Sequence, residues 1–411
     1  MDTPFCSMVR VVTEVLFVDH KKMSSVSKFY LACRNGDFAT VQKLLPNMSD
    51  DEKNRTEPNG STALHAATYY GHHDIVKLLL ENGCATWIRN NYKNTPYDEA
   101  QDEEMRELFR RPNRANGSNR FASTDDCFSI VTRNFGKDND EIDGDDNISK
   151  GWVKGYKHIG TFEERETNIK QIVHAQMMKY CLKKFQISDT CKDLLKLLKK
   201  SLNADSESNK QEDCRLARSS FEKFLTEQDV DELIRVYTLE TAFYGALQTK
   251  GDLFAIELYS RLSSLQDRAF KGGKTYRGLG TTDDSLQVYR WAAKDKSRMI
   301  EIRTMTSTSL LDSVAIRFAK DSIANDKTKK KLPILYIIEF PEVCYTAIDL
   351  NMDKPITKYP HEQEILLLPG TLFEVHDVQD GPMNGWYTIE LTNVPVPHKI
   401  LKKALNEFQN A

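Results

Sequence analysis

Residues 359–370 read Tyr359-Pro360-His361-Glu362-Gln363-Glu364-Ile365-Leu366-Leu367-Leu368-Pro369-Gly370. Turn-forming proline and glycine residues bracket a short apolar run, which predicts a strand. The run has no polar alternation, so we expect this strand to be buried on both faces. Glu362 and Glu364 stand at its entrance, and side chains two positions apart in extended backbone point to the same side. Such a pair alone is typical of a solvated loop end, so its role depends on what the rest of the chain places near it.

The composition excludes several classes of protein. A chain of 411 residues is expected to form two or three domains. A net charge of −3, with 28% charged and 40% hydrophobic residues, favours neither nucleic acid nor a membrane surface as a partner. No apolar run approaches the ~20 residues that span a bilayer. No signal peptide or lipid-anchor signal is recognisable in the sequence, so we expect a cytoplasmic location.

The cysteines argue against a metal site and against a disulfide framework. All eight are spread along the chain, and no Cys-x-x-Cys pair occurs. Zinc knuckles and small secreted domains need closely spaced cysteines. We therefore expect reduced thiols and no metal.

Residues 27–111 contain an internal repeat with a period of about 33 residues. One unit begins Thr62-Ala63-Leu64-His65-Ala66-Ala67, and Asn94-Thr95-Pro96-Tyr97 begins the next. The pattern resembles the ankyrin repeat, with Ala63 in place of the signature proline. The resemblance implies an all-α unit of about three helix pairs that binds a protein partner. It also implies that His65 hydrogen-bonds the main chain inside the repeat.

The composition and hydrophobic spacing of the remaining chain divide it into three segments. Residues 112–160 are polar, turn-rich and partly acidic, which predicts a linker. Residues 161–270 show helical spacing, for example from Glu164 to Lys184 and from Asp229 to Tyr244, where Glu240 shares the core-facing side. From residue 271 onwards, short runs rich in β-branched and aromatic residues predict strands. Helices followed by strands predict an α+β domain over residues 161–400.

Three short pieces occur in order within this domain. They are Lys274-Thr275-Tyr276-Arg277-Gly278, Thr306-Ser307-Thr308-Ser309 and Glu362-Gln363-Glu364. Each alone is a weak signal. Together they resemble the R-S-E class of mono-ADP-ribosyltransferases, and most closely its arginine-modifying animal branch. The likeness spans roughly residues 225–395 and includes Val236-Tyr237-Thr238, Glu240, Phe243-Tyr244, Ala315, Phe318 and Tyr359–Val375. It implies a helical subdomain followed by a mostly antiparallel β-sandwich.

The resemblance implies that NAD is the co-substrate. Cleavage of the nicotinamide–ribose bond builds positive charge on the ribose, which a carboxylate beside the sugar stabilises. By position Glu364 takes that role, Ser307 orients it and binds the ribose, and Arg277 binds the phosphates. Tyr276, Gly278, Ser309 and Phe318 complete the implied NAD-binding residues. The chain has no complete glycine-rich dinucleotide loop, and this family needs none.

Glu362 is expected to choose the acceptor. A guanidinium is a poor nucleophile while protonated, and a carboxylate placed against it can orient it and take a proton. In the family, glutamate at this position accompanies arginine as the acceptor. The resemblance therefore implies arginine modification, catalysed by Arg277, Ser307, Glu362 and Glu364, with Tyr359 in the turn that contacts the acceptor.

Two alternatives remain open. Water could intercept the ribosyl cation, which would make the protein an NAD glycohydrolase. Alternatively, the protein could be an ankyrin interaction protein that binds NAD without turnover. The chain also departs from the animal enzymes, which are typically secreted or lipid-anchored and disulfide-bonded. That departure favours an intracellular target recruited by the ankyrin repeats.

Overall fold

The computed structural model describes residues 26–111, 128–131, 190–204, 211–294, 299–326, 328, 330–381 and 385–395. These residues divide into two compact units, one ending at Arg110 and the other beginning at Arg111. The predicted helix from Glu164 to Lys184 and most of the predicted linker lie outside the described residues. Within these ranges, no helix combines the length and apolar character that crossing a bilayer requires.

The first unit is built from short helices. Their bounds are α1 Lys28–Asn35, α2 Phe38–Leu44, α3 Asp50–Lys53, α4 Ala63–Tyr69, α5 His73–Glu81 and α6 Glu103–Leu108. Polar residues directly before five of these helices accept a main-chain N–H of the first turn, which satisfies donors that have no partner within the helix. These residues are Ser27, Asp37, Ser49, Thr62 and Asp102. Capping therefore sets where most of these helices begin.

His65 links neighbouring repeats. The main-chain N–H of Thr62 donates to Nδ1 of His65 over 3.1 Å. Nε2 of His65 lies 3.1 Å from the main-chain oxygen of Asn94, in the following repeat. Because Nδ1 accepts, Nε2 carries the proton and donates. The expected main-chain hydrogen bond of His65 is thus confirmed.

The second unit contains six helices among its described residues: α7 Thr190–Ala204, α8 Gln211–Glu227, α9 Val230–Thr238, α10 Ala242–Ser260, α11 Asp283–Ala293 and α12 Asp312–Ala324. Helices α7 to α10 enclose a core rich in aromatic residues, among them Phe221, Phe224, Tyr237, Phe243 and Phe254. Buried aromatic side chains contribute large apolar areas to such a core. This cluster extends onto one face of the sheet.

The predicted helix from Asp229 to Tyr244 is two helices, because the chain leaves α9 after Thr238 and enters α10 at Ala242. The hydroxyl of Thr238 donates to the main-chain oxygen of Arg235 over 2.9 Å. The main-chain N–H of Glu240 donates to Oδ2 of Asp213 rather than to a helical carbonyl. Such local bonds compete with helix continuation. The prediction that Glu240 shares a core-facing helix side is wrong, since Glu240 lies in the bend.

In the described part of the second unit, ten strands form one sheet: β1 Phe128–Val131, β2 Ala269–Phe270, β3 Gly273–Thr281, β4 Met299–Ile302, β5 Thr306–Ser309, β6 Leu332–Phe340, β7 Cys344–Asp349, β8 Glu364–Leu367, β9 Leu372–Asp380 and β10 Tyr387–Asn393. Their order is β1-β4-β9-β10-β6-β3-β5-β8-β7-β2. Neighbours are antiparallel except β10 and β6. The α+β, mostly antiparallel architecture is confirmed. The sequence did not reveal β1, which lies inside the range predicted as a linker.

Strand β8 is buried on both faces, as its uninterrupted apolar run predicted. Leu366 packs into the aromatic core between sheet and helices. Ile365 and Leu367 pack into a second core, with residues of β6, β9, β10 and α11. Each of these three side chains is fully buried. The strand is thereby fixed in register, because a shift of one residue would exchange its two faces.

The two parts of the sheet meet at a narrow joint. Strands β3 and β5 are paired only at Tyr276 and Ser309, whereas β3 and β6 pair over nine positions. On the other side of the joint, Ser309 pairs with Glu364 across β5 and β8. The pieces singled out in the sequence therefore meet where the sheet is least continuous.

Candidate active site

Arg277 braces the joint between β3 and β5. Its side chain is fully buried. Nη1 donates to the main-chain oxygen of Ser307 over 2.7 Å. The neighbouring Tyr276 is partly exposed and stands opposite Ser309. Arg277 therefore fixes the position of Ser307 from inside the sheet.

Gly278 lets helix α12 approach β3 closely. A Cβ atom there would lie 1.8 Å from the main-chain oxygen of Ala315 and 3.0 Å from Cβ of Ala319. Any side chain would therefore force α12 away from the strand. Phe318 lies on the same helix and is 3% exposed, packed with Val314 and Leu311. Gly278 therefore lies where α12 packs on β3, and Phe318 lies on that helix.

Ser307 holds the carboxylate of Glu364. Its hydroxyl donates to Oε1 of Glu364 over 2.5 Å, and both residues are fully buried. The hydroxyl of Tyr237 lies 3.2 Å from Oγ of Ser307. Because Ser307 donates to the carboxylate, its oxygen is left to accept from Tyr237. A chain of hydroxyl groups thus orients Glu364, and its short bond to Ser307 is of the charge-assisted kind.

Glu362 lies in a turn rather than in a strand. Residues Pro360–Glu362 form one turn of 3-10 helix, and Gln363 takes a left-handed conformation with φ +45°. The sequence expectation of extended backbone between the two glutamates is therefore wrong. Ser309 supports the turn, because its hydroxyl donates to the main-chain oxygen of Glu362 over 2.6 Å. The left-handed residue turns Glu362 toward the same guanidinium that Glu364 faces.

That guanidinium belongs to Arg111, the first residue of the second unit. Its Nε donates to Oε2 of Glu362 over 2.7 Å, and Nη1 donates to Glu240. Nη2 lies 3.8 Å from Oε2 of Glu364. The guanidinium carbon is 3.8 Å from the ring centroid of Tyr359, within the range of a cation–π contact. Three carboxylates and one aromatic ring therefore surround a single arginine side chain.

Burial shapes the electrostatics of this cluster. Burial raises the pKa of Glu362, although the cations Arg111 and Arg317 oppose the shift. Nη2 of Arg317 contacts Oε1 of Glu362 at 3.2 Å. Burial alone would lower the pKa of Arg111, but Glu362, Glu240, Tyr359 and Glu364 together raise it. Burial also raises the pKa of Tyr359, with Glu240 and Asp213 adding to the effect. Arg111 thus remains a cation, and Glu362 is more basic than an ordinary glutamate.

Sequence reasoning missed Arg111 and the role of Glu240. Arg111 lies 251 positions from Glu362 and 129 from Glu240, and no periodicity connects positions so distant. Tyr359 was expected in the turn that contacts the acceptor, and it lies against a guanidinium here. Among the described residues, no group of three or more His, Cys, Asp or Glu side chains could hold a metal ion.

Comparisons with known proteins identify the repeats of the first unit. A model of ankyrin repeats, in three copies, matches residues 29–110. The human NAD-capped RNA hydrolase NUDT12 is 38% identical over 77 residues, which are 19% of this chain and 16% of that protein. The chain therefore spans only a small part of the curated relatives it matches. The ankyrin repeats expected from the sequence are confirmed.

Solved structures of lower similarity were also found. The type III effector XopAI of Xanthomonas axonopodis pv. citri is 14% identical, covering 58% of this chain and 94% of its own, with a TM-score of 0.33. The Vis toxin, an ADP-ribosyltransferase from Vibrio splendidus, is 15% identical, covering 58% of this chain and 89% of its own, with a TM-score of 0.26. At these TM-scores the similarity has no bearing on the chemistry of the site.

Proposed function

We propose that this protein transfers ADP-ribose from NAD to an arginine side chain of a protein acceptor and releases nicotinamide. The observation that carries the proposal is the pair of glutamates at the joint of the sheet. Ser307 holds Glu364 over 2.5 Å, while Glu362, two residues earlier, binds a guanidinium over 2.7 Å. This reaction needs one carboxylate to stabilise the positive charge on the ribose and another to orient and deprotonate the guanidino group.

The residues fit the ribose end of NAD. Because the hydroxyl proton of Ser307 is donated to Glu364, this pair offers acceptors to sugar hydroxyls: the carboxylate oxygens and the second lone pair of the serine oxygen. The buried position of Glu364 strengthens its attraction for positive charge on the ribose, because surrounding water screens little there. By the resemblance, Arg277 would bind the phosphates, and Tyr276, Gly278, Ser309 and Phe318 would lie around the cofactor. Of these five residues, only Tyr276 is partly exposed.

In the proposed reaction the bond between the anomeric carbon and the nicotinamide nitrogen breaks. Its electron pair leaves with nicotinamide, and Glu364 stabilises the positive charge left on the ribose. A guanidino nitrogen of the acceptor forms the new bond to the anomeric carbon. The guanidinium of the acceptor loses one proton to Glu362, which passes it to solvent. The raised pKa of Glu362 brings this base nearer to neutral pH than an ordinary glutamate, which favours proton transfer.

The ankyrin repeats would recruit the protein acceptor. Three stacked repeats present an extended surface of the kind that binds protein partners. Within the first unit, Tyr92 is 74% exposed, while Tyr69 is 52% and Tyr70 47% exposed. Aromatic residues are enriched in protein interfaces. This part of the proposal is tested by replacing Tyr69, Tyr70 and Tyr92 with serine in the full-length chain and measuring transfer. Transfer to a protein acceptor should fall, and transfer to agmatine should not change.

One experiment tests the catalytic part. Labelled NAD is incubated with agmatine, a small guanidino compound, and with wild type, Glu364→Gln or Glu362→Gln. We expect Glu364→Gln to lose transfer and hydrolysis together, by about 10²–10³-fold for loss of one electrostatic stabiliser. We expect Glu362→Gln to lose transfer and to keep hydrolysis. Equal transfer by wild type and Glu362→Gln would refute arginine as the acceptor. If wild type consumes no NAD, the transferase and the glycohydrolase are both refuted, and the remaining hypothesis is an ankyrin interaction protein without turnover.

A further inference from the structure

We propose that Glu240, Tyr359 and Glu362 form a guanidinium-binding subsite, and that Arg111 occupies it until an acceptor arginine displaces it. This inference deepens the proposed function and rests on it for the identity of the reaction. The binding of a guanidinium to the subsite can be measured without turnover. An experiment can therefore refute the subsite and leave the proposed transfer reaction standing, or the reverse.

Side chains surround the guanidinium of Arg111 on two edges and one face. Glu362 accepts from Nε, Glu240 accepts from Nη1, and the ring of Tyr359 lies 3.8 Å from the guanidinium carbon. A planar cation with donors along its edges and a flat face fits such a set, whereas a lysine ammonium is a compact point charge. The subsite therefore selects arginine-like ligands over lysine.

The position of Nη2 links the subsite to the sugar site. Nη2 has no hydrogen-bond partner, and it lies 3.8 Å from Oε2 of Glu364. Glu364 is the residue to which the proposed function assigns the ribose. An acceptor arginine bound in the same way would point its Nη2 toward the ribose, as the nitrogen that attacks. Glu240 and Tyr359 are thus positioned to orient the acceptor as well as to bind it.

The subsite is closed to other ligands while Arg111 is in place. The side chain of Arg111 is 6% exposed, that of Glu240 7%, and that of Glu362 is fully buried. A second guanidinium cannot reach these carboxylates unless Arg111 leaves. Arg317 contacts the other oxygen of Glu362 at 3.2 Å and would keep that carboxylate paired during the exchange. Arg111 therefore acts as an intramolecular competitor of the acceptor.

The competition has a measurable size. When only a fraction of the molecules is open to ligand, the apparent dissociation constant rises by the inverse of that fraction. If Arg111 fills the subsite nine-tenths of the time, removing it lowers the apparent dissociation constant of a guanidino ligand about tenfold. Nearly complete occupancy would give a larger change.

Titration calorimetry of the full-length chain with agmatine tests the subsite. We expect Arg111→Ala to bind agmatine at least about tenfold more tightly than wild type. Arg110→Ala is the matched control, because Arg110 pairs with Glu103 and Glu107 of α6 and not with the subsite. The affinity of Arg110→Ala for agmatine should equal that of wild type. In the Arg111→Ala background, Glu240→Gln should weaken agmatine binding about tenfold or more, as expected for loss of a charged hydrogen bond. Unchanged affinity in Arg111→Ala would overturn the competition, and unchanged affinity after Glu240→Gln would remove Glu240 from the subsite.

A measurement on the wild type keeps the inference testable if Arg111→Ala does not fold. The folded protein is treated with phenylglyoxal, an arginine reagent, and labelling is located by mass spectrometry. We expect Arg111 to be protected relative to its partly exposed neighbour Arg110, and equal labelling of the two would overturn the occupancy. NAD consumption measured on the untreated proteins used for calorimetry separates the two proposals. Tighter agmatine binding by Arg111→Ala without NAD consumption would support the subsite and refute the transferase. Transfer of ADP-ribose with unchanged agmatine affinity in Arg111→Ala would support the transferase and refute the competition by Arg111.

Discussion

Replacing Ser307 by alanine isolates the contact that orients Glu364. The substitution removes one hydroxyl that donates to the carboxylate over 2.5 Å from a fully buried position. A hydrogen bond to a charged group contributes about 1.5–3 kcal/mol. At about 1.4 kcal/mol for each tenfold change in rate, kcat/KM for NAD cleavage should fall about 10- to 150-fold. Transfer and hydrolysis should fall together, because Glu364 acts on the bond that both reactions break.

Thr308→Val is the matched control for this substitution. Thr308 is also fully buried on β5, but its hydroxyl donates to the main-chain oxygen of Ile365 over 3.0 Å and does not contact Glu364. Each substitution removes one buried hydroxyl and its hydrogen bond, which costs about 1–3 kcal/mol of stability. Nicotinamide release is measured with and without agmatine, and thermal unfolding is followed in parallel. Equal activity of Ser307→Ala and Thr308→Val would refute the role of Ser307.

Four further predictions concern two glycines and the pH dependence of transfer. Gly278→Ala should destabilise the protein by about 1–3 kcal/mol or more in urea unfolding, because its Cβ would lie 1.8 Å from the oxygen of Ala315. Gly245→Ala, on α10 with no heavy atom within 4 Å of the added Cβ, should stabilise it by up to about 1 kcal/mol. Transfer to agmatine should rise with pH through a limb above 4.5, the ordinary glutamate pKa, because burial raises the pKa of Glu362 and only the carboxylate accepts the proton. Arg317→Ala should move that limb to higher pH, since one cation that lowers the pKa of Glu362 is lost, and an unmoved limb would assign it to another group.

Local patterns were sufficient to predict much of the fold. The uninterrupted run from Ile365 to Leu368 predicted a strand buried on both faces, and both cores contain its side chains. The break between α9 and α10 was not predictable from periodicity. It depends on the hydroxyl of Thr238 and on Asp213, which accepts the N–H of Glu240 from another helix. A helical pattern cannot register a competing partner that lies outside it.

The candidate site was predictable to the extent that it follows strand order. Arg277, Ser307 and Glu364 lie on β3, β5 and β8, and antiparallel pairing brings these strands together. The relation of Glu362 to Glu364 required the left-handed conformation of Gln363, which no glycine signals in the sequence. Arg111 joins the site only through tertiary structure. No spacing rule could have identified it.

In the proposed reaction Glu364 acts on the ribose of NAD and Glu362 acts on the acceptor arginine. The most direct test uses two peptides that differ by one substitution, arginine in one and lysine in the other, incubated with NAD and the full-length protein. Tandem mass spectrometry then locates any ADP-ribose. We expect ADP-ribose on the arginine with wild type, none on the lysine, and none on either peptide with Glu364→Gln. Modification of both peptides alike, or of the arginine by Glu364→Gln, would contradict it.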